Sequence, residues 1–175
     1  IEAKPNAAHL AIVKWEEKFN VRIITQNIDD LHERAGSSSV LHLHGNIRYA
    51  KSSGPNQESK YYRINGPTLS AESRCPVGYR LRPHVVWFGE DVPELENAAQ
   101  IISEADVLIV IGTSLQVYPA ANLIHFAKKG SLKYIIDPKV DRMSLPTGFN
   151  AINTSAVNGV ELVIADIKKA LNQTD

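Results

Sequence analysis

His42 and His44 flank Leu43 in a short apolar run that Gly45 ends. Alternate residues of a strand share a face, so both imidazoles project to one side. With an unperturbed pKa of about 6.5, an imidazole is well suited to take a proton from a hydroxyl near neutral pH. The competing reading is a hydrogen-bonded histidine with a structural task. His-x-His is also half of a zinc site, but no third ligand follows at a usable spacing. Other segments suit a phosphate and a ribose. Gly112 lets backbone approach a ligand closely, and Thr113 and Ser114 offer hydroxyls and N–H groups to a phosphate at a helix start; a plain turn and cap is the alternative. Asp137 ends an apolar run and is placed to accept from a ribose hydroxyl. The polar stretch Thr25-Gln26-Asn27-Ile28-Asp29 ends a third run. Leu81 to Glu90 joins an apolar strand to a glycine and an acid, and its plainer reading is a core strand.

These residues need elements to position them. Asn6 caps a helix whose face carries Ala8, Ala11, Ile12, Trp15 and Phe19. Val21 to Thr25 predicts a strand, followed by a brief helix to Ala35 that Gly36 closes, and Val40 to Leu43 predicts another strand. Residues 46–82 change character, with turn chemistry at Ser52-Ser53-Gly54-Pro55-Asn56 and Asn65-Gly66-Pro67, and read as a small inserted lobe. Regularity returns with a strand over Val85 to Phe88 and a helix face of Leu95, Ala98, Ala99, Ile102 and Ala105. Asp106 to Ile111 reads as a strand buried on both faces. A helix from about Pro119 to Lys129, a strand from Leu132 to Ile136 and a final helix through Val160, Val163, Ile164, Ile167 and Leu171 complete the pattern. Alternating strands and helices predict a doubly wound α/β sheet, which binds ligands at the carboxyl ends of its strands, where the three polar segments fall.

Composition narrows the partners. The 175 residues are 43% apolar and 22% charged, with 19 basic residues against 19 acidic ones, values of an ordinary globular chain with one domain and room for an insertion. Zero net charge argues against a nucleic-acid partner, and the lack of a like-charge block argues against a polybasic membrane patch. Cys75 is the single cysteine, which excludes an intrachain disulfide and points to a reducing, cytoplasmic setting. Apolar runs such as Val107 to Ile111 are too short to span a bilayer, and residues 1–20 hold no signal-peptide core. The chain opens on Ile1 and runs through Lys4-Pro5-Asn6 straight into a helical pattern, as though further sequence precedes it.

Taken in order, several segments resemble the sirtuin family of NAD-dependent protein-lysine deacylases. They are Pro5-Asn6-Ala7-Ala8-His9, Thr25 to Asp29, His42-Leu43-His44-Gly45, Arg82 to Glu90, Gly112-Thr113-Ser114-Leu115-Gln116-Val117 and Ile136-Asp137. The resemblance covers nearly all of the chain outside residues 46–80 and is nearest to the subclass of bacterial deacetylases and the mitochondrial desuccinylase. It implies a Rossmann-like α/β fold, a doubly wound parallel sheet formed by residues 1–45 and 83–175, with 46–82 as a reduced lobe in place of a zinc-binding module. It implies His44 as catalytic base, and Gln26, Asn27 and Asp29 around the nicotinamide and its ribose. Gly112, Thr113, Ser114 and Val117 would contact the dinucleotide, Asp137 the adenosine ribose, and Val160 the adenine. Val86, Phe88, Gly89 and Glu90 would bracket the acyl-lysine of a protein or peptide by strand addition. The products implied are free lysine, nicotinamide and 2′-O-acyl-ADP-ribose. An NAD or ADP-ribose binding module without turnover and an NAD hydrolase are the rival readings.

Four departures accompany the resemblance. The family's Gly-Ala-Gly loop and Phe-Arg segment belong ahead of Pro5 and are not among these residues. The Tyr-x-x-Arg pair for acidic acyl groups also belongs there, so Tyr79 and Arg82, which have that spacing, read as structural. Four zinc cysteines reduce to Cys75, with Ser52 and Glu72 near positions where thiols would stand, so zinc is expected to be absent; packing of Tyr61, Tyr62, Ile64 and Leu69 would then hold the lobe. Asp137 replaces the more usual asparagine, and its charge is expected to repel phosphate.

Overall fold

A computed structural model describes residues 2–55 and 60–172; Asn56 of the expected turn lies outside them. Asn6 caps helix α1, Ala7–Trp15, by accepting from the N–H groups of Ala8 and His9, and His9 closes the reciprocal half of the capping box. The helix stops at Trp15 rather than Phe19, and past Trp15 the bonding tightens to i→i−3: Glu16, Glu17 and Lys18 donate to the Val13, Lys14 and Trp15 carbonyls. Phe19 still packs on the core. Strand β1 (Ile23–Thr25), helix α2 (Leu31–Ala35) and strand β2 (Val40–His42) follow, and β1 pairs in parallel with β2. Gly36 ends α2 at φ 109°, a left-handed conformation that glycine adopts without strain.

The segment that lacks sequence periodicity contains the longest strand of the chain. β3 (Gly45–Ser52) is flanked by β4 (Tyr61–Arg63) and β5 (Leu81–Val85) in an antiparallel sheet. Its centre is small, with Ala50, Ser52 and Cys75 buried, while Tyr61 is exposed and stacks on His84 at 3.9 Å. Tyr62, Ile64 and Leu69 are half-buried. The strand expected over Val85 to Phe88 is displaced: β5 ends at Val85, and residues 86–90 leave the sheet.

Helix α3 (Leu95–Glu104) leads to β6 (Val107–Ile111), β7 (Leu132–Ile136) and β8 (Phe149–Ile152), which form a parallel sheet in that order. Helix α4 (Ala156–Asn172) closes the chain. β8 gives little signal in the sequence, being four residues long with Asn150 inside it. The helix expected over Pro119 to Lys129 is a 3₁₀ segment, Ala120–Phe126. Ala120 and Leu123, three residues apart, are both buried, and three residues per turn puts them on one face.

Helices cover the parallel strands on both sides. α1 and α4 pack on one face, where Ala8, Ile12, Tyr134, Ile136, Val160 and Val163 are buried against Ile23, Val107 and Ile109. On the other face α3 and the 3₁₀ segment bury Ala98, Ile102, Ala120 and Leu123 with Leu43 against Ile24 and Leu108. Neighbouring residues such as Ile23 and Ile24 thus serve opposite cores, as strand alternation requires, and the architecture is Rossmann-like α/β. The buried Tyr134 hydroxyl donates to Asp166 at 2.7 Å; burial, then that bond, push its pKa up to about 12. Among the described residues no helix is long and apolar enough to cross a membrane.

Candidate active site

The carboxyl ends of β1 and β2 bring the two histidines to different neighbours. Leu43 donates its N–H to the Thr25 carbonyl at 2.9 Å, and beyond this last rung the chain turns. His44 Nδ1 lies 3.1 Å from the Gln26 carbonyl. A carbonyl only accepts, so Nδ1 carries the proton and Nε2 presents a lone pair. His42 is enclosed instead. Its Nδ1 faces the Asn27 carbonyl at 3.1 Å, its Nε2 lies 2.7 Å from Glu33, and Asn46 approaches at 3.1 Å. With the His42 side chain only 11% exposed, the ring ties α2 to the start of β3.

The polar segments meet across the gap between the two parallel sheets. The Gln26 amide donates to the Thr113 hydroxyl at 3.5 Å, joining the loop after β1 to the loop after β6. Asn27 is exposed, its N–H spent on Thr25 Oγ1 at 3.1 Å, and its side-chain amide has no partner among the described residues. One Asp29 oxygen accepts from Leu31 N–H at 3.1 Å. Gly112 holds φ at 62° while its N–H extends the ladder to the Ile136 carbonyl at 3.0 Å. An added Cβ there would meet nothing within 4 Å, so the positive φ, rather than crowding, calls for glycine. Thr113 Oγ1 also accepts from Leu115 N–H at 3.3 Å, and Val117 is exposed.

A cleft of about 370 Å³ opens beside this loop, lined by Ser114, Gln116, Asp137, Lys139 and Arg142 among others. Asp137 Oδ1 accepts from Lys139 N–H at 2.7 Å, which aims the carboxylate along the strand end. Lys139 and Arg142 also line this cleft, so its wall carries two cations as well as the carboxylate. Val160 stands apart from the other expected contacts. The whole residue is 0% exposed inside the α4 core, so, contrary to the expectation that it meets the adenine, neither its side chain nor its backbone reaches the cleft.

Residues 86–90 are hung from the histidine segment, since Val86 N–H donates to the His44 carbonyl at 2.9 Å. Trp87 and Phe88 are exposed, Phe88 fully, and Gly89 turns at φ 86°. Glu90 is turned inward: it bonds Arg82, Lys51 at 3.4 Å and the Trp87 N–H at 3.1 Å, and Arg82 lies 4.5 Å over the Trp87 ring. The Trp87 N–H and the two cations hold this carboxyl below the usual carboxylate range against an opposing burial effect. The resemblance implies Glu90 as a substrate contact, whereas its oxygens are engaged within the protein. Lys51 and Arg82, the residues that fasten it, carry no sequence signal for this task beyond their charge.

The Sir2 family model matches residues 1–119. The chain is 50% identical to an NAD-dependent protein deacylase of Aggregatibacter actinomycetemcomitans over 86% of its own length and 69% of that protein. The chain belongs to the Sir2 family. The structure of a Sir2 homologue in complex with NAD superposes with TM-score 0.79 at 35% identity, covering 97% of this chain and 67% of that one. A Sir2 structure with a p53 peptide and NAD+ gives TM-score 0.74 at 32% identity, over 94% of this chain and 71% of that one. These relatives have the same Rossmann-like frame, so the sirtuin assignment rests on sequence and architecture together.

Proposed function

We propose that the protein removes acyl groups from lysine side chains of proteins or peptides in a reaction that consumes NAD and yields nicotinamide and 2′-O-acyl-ADP-ribose. The observation that carries this reading is the 3.1 Å hydrogen bond between His44 Nδ1 and the Gln26 carbonyl, which in the neutral imidazole leaves the lone pair on Nε2. Such a group acts as a general base toward a ribose hydroxyl. NAD supplies the ribose that receives the acyl group. Gln26, Asn27 and Asp29 line its nicotinamide end, and Gly112, Thr113, Ser114 and Val117 its phosphate side. Asp137 accepts from the adenosine ribose. Val86, Phe88 and Gly89 offer edge backbone to an extended acyl-lysine peptide, and Glu90 keeps that loop in shape from within. Incubation of the protein with NAD and an acetyl-lysine peptide is expected to give stoichiometric O-acetyl-ADP-ribose and nicotinamide by mass spectrometry. Loss of NAD independent of peptide would identify an NAD hydrolase instead, and binding without products a sensor of ADP-ribose.

The 46–82 lobe is proposed to stand without structural zinc. A tetrahedral site takes four ligands, mostly thiolates and imidazoles. The buried Cys75 has as side-chain partner the Ser52 hydroxyl, 3.5 Å from its sulfur, and no group of three His, Cys, Asp or Glu residues is arranged for a metal among the described residues. After dialysis against a weak chelator, elemental analysis is expected to find no stoichiometric zinc and calorimetry an unchanged Tm. One equivalent per chain would overturn this.

A further inference from the structure

The neutral net charge conceals a separation. Residues 46–82 carry seven Lys and Arg against two Asp and Glu, while the rest of the chain carries twelve against seventeen. Four of the seven cations have carboxylate partners: Lys51 and Arg82 with Glu90, Arg48 with Asp30 at 3.6 Å, and Arg74 with Glu72 at 3.9 Å. Lys60, Arg63 and Arg80 are exposed and have no carboxylate partner among the described residues.

Strand register places this charge relative to the proposed substrate loop. Arg63 pairs with Tyr49, and Lys51 pairs with both Tyr61 and Arg82, so Arg63, Lys51 and Arg82 share one face of the antiparallel sheet. Arg80 continues the parity of Arg82, just before β5. Three strands span only about 10 Å, comparable to the Debye length at 0.1 M salt, so these cations act on a ligand as one field. β5 runs directly into residues 86–90, whose backbone is anchored to His44. A peptide lying along that loop extends toward a sheet face on which Lys51 and Arg82 are engaged by Glu90 and Arg63 and Arg80 have no carboxylate partner among the described residues, beside the exposed rings of Trp87 and Phe88.

We propose that the 46–82 lobe is a docking surface for acidic polypeptide, in which Arg63 and Arg80 hold aspartates and glutamates flanking the acyl-lysine. The inference rests on the deacylase reading and names its substrate class. Complementary charge at the rim of an interface raises the encounter rate and selects partners, and it weakens as salt rises. Among the described residues no carboxylate competes for Arg63 or Arg80.

The test uses acetyl-lysine peptides of one length with Asp/Glu, Ser/Gly or Lys flanks, assayed at 50 and 500 mM NaCl, with binding followed separately by fluorescence anisotropy without NAD. The acidic peptide is expected to show a KM and a Kd about tenfold lower than the neutral one at low salt, the gap closing at high salt. In the Arg63→Glu, Arg80→Glu double variant this preference is expected to vanish while turnover of the neutral peptide is unchanged. Equal binding of acidic and neutral peptides at low salt overturns the proposal, as does tighter binding of a DNA duplex than of the acidic peptide. If no peptide is deacylated, the deacylase reading fails, and the proposal of a docking surface for its substrates fails with it; turnover with no preference for flanking charge sinks the docking surface alone.

Discussion

The His44→Ala variant is expected to lose between ~10² and ~10⁴ of the deacylation rate while melting near the parent, because a positioned general base is worth that much and the ring lies at the mouth of the site, not in a core. His42→Ala is expected to do the opposite. The His42 ring bridges the Asn27 carbonyl and Glu33, with Asn46 alongside. Deleting it strands those partners, at ~1 to 3 kcal/mol for a buried hydrogen-bonding group. Its effect on turnover follows from disorder at the strand end rather than from lost proton transfer. Peptide turnover with NAD and thermal melts of both variants decide the matter. Near-normal turnover in His44→Ala would remove the β2 end from consideration as the reaction centre and favour a non-catalytic ADP-ribose site.

A second large effect is expected at Gly45, the residue after the proposed base. Its φ is 86°, and an added Cβ would stand 2.2 Å from the His84 carbonyl oxygen and 2.8 Å from its carbon. Both obstacles are backbone, so neither can swing aside. A left-handed φ costs a non-glycine residue ~1 to 3 kcal/mol. Overpacking adds a similar amount, so Gly45→Ala is expected to destabilise by about 3 kcal/mol or more. It also pushes β5 from β3 where Val86 bonds the His44 carbonyl, so turnover falls even in molecules that remain folded. Chemical denaturation read beside kcat separates the two losses. A variant with parental midpoint and parental kcat would mean that the β3–β5 junction yields more easily than its contacts indicate.

The sequence by itself determined the alternating frame and the positions of the polar loops in it. Ile23 and Ile24, or Val107 and Leu108, face opposite cores, and a strand covered on both sides must be apolar at every position, which is a pattern legible without coordinates. The cap at Asn6 and the stop at Gly36 were legible for the same reason, since each depends only on its own few residues. The lobe was not, because its strands are held by antiparallel partners up to forty residues distant and what β3 buries is small or polar, so neither β3 nor the edge strand β4 leaves a periodic trace. The resemblance and the adjoining Gly45 single out His44, but only tertiary structure supplies the physical difference between the two rings: Glu33, from α2, reaches His42 while the Gln26 carbonyl orients His44. Tertiary structure also turned Glu90 inward, through Lys51 from β3 and Arg82 from β5. A side chain's chemistry is written in its type, but its protonated nitrogen or its free oxygen is set by whichever groups folding carries to within about 3 Å of it.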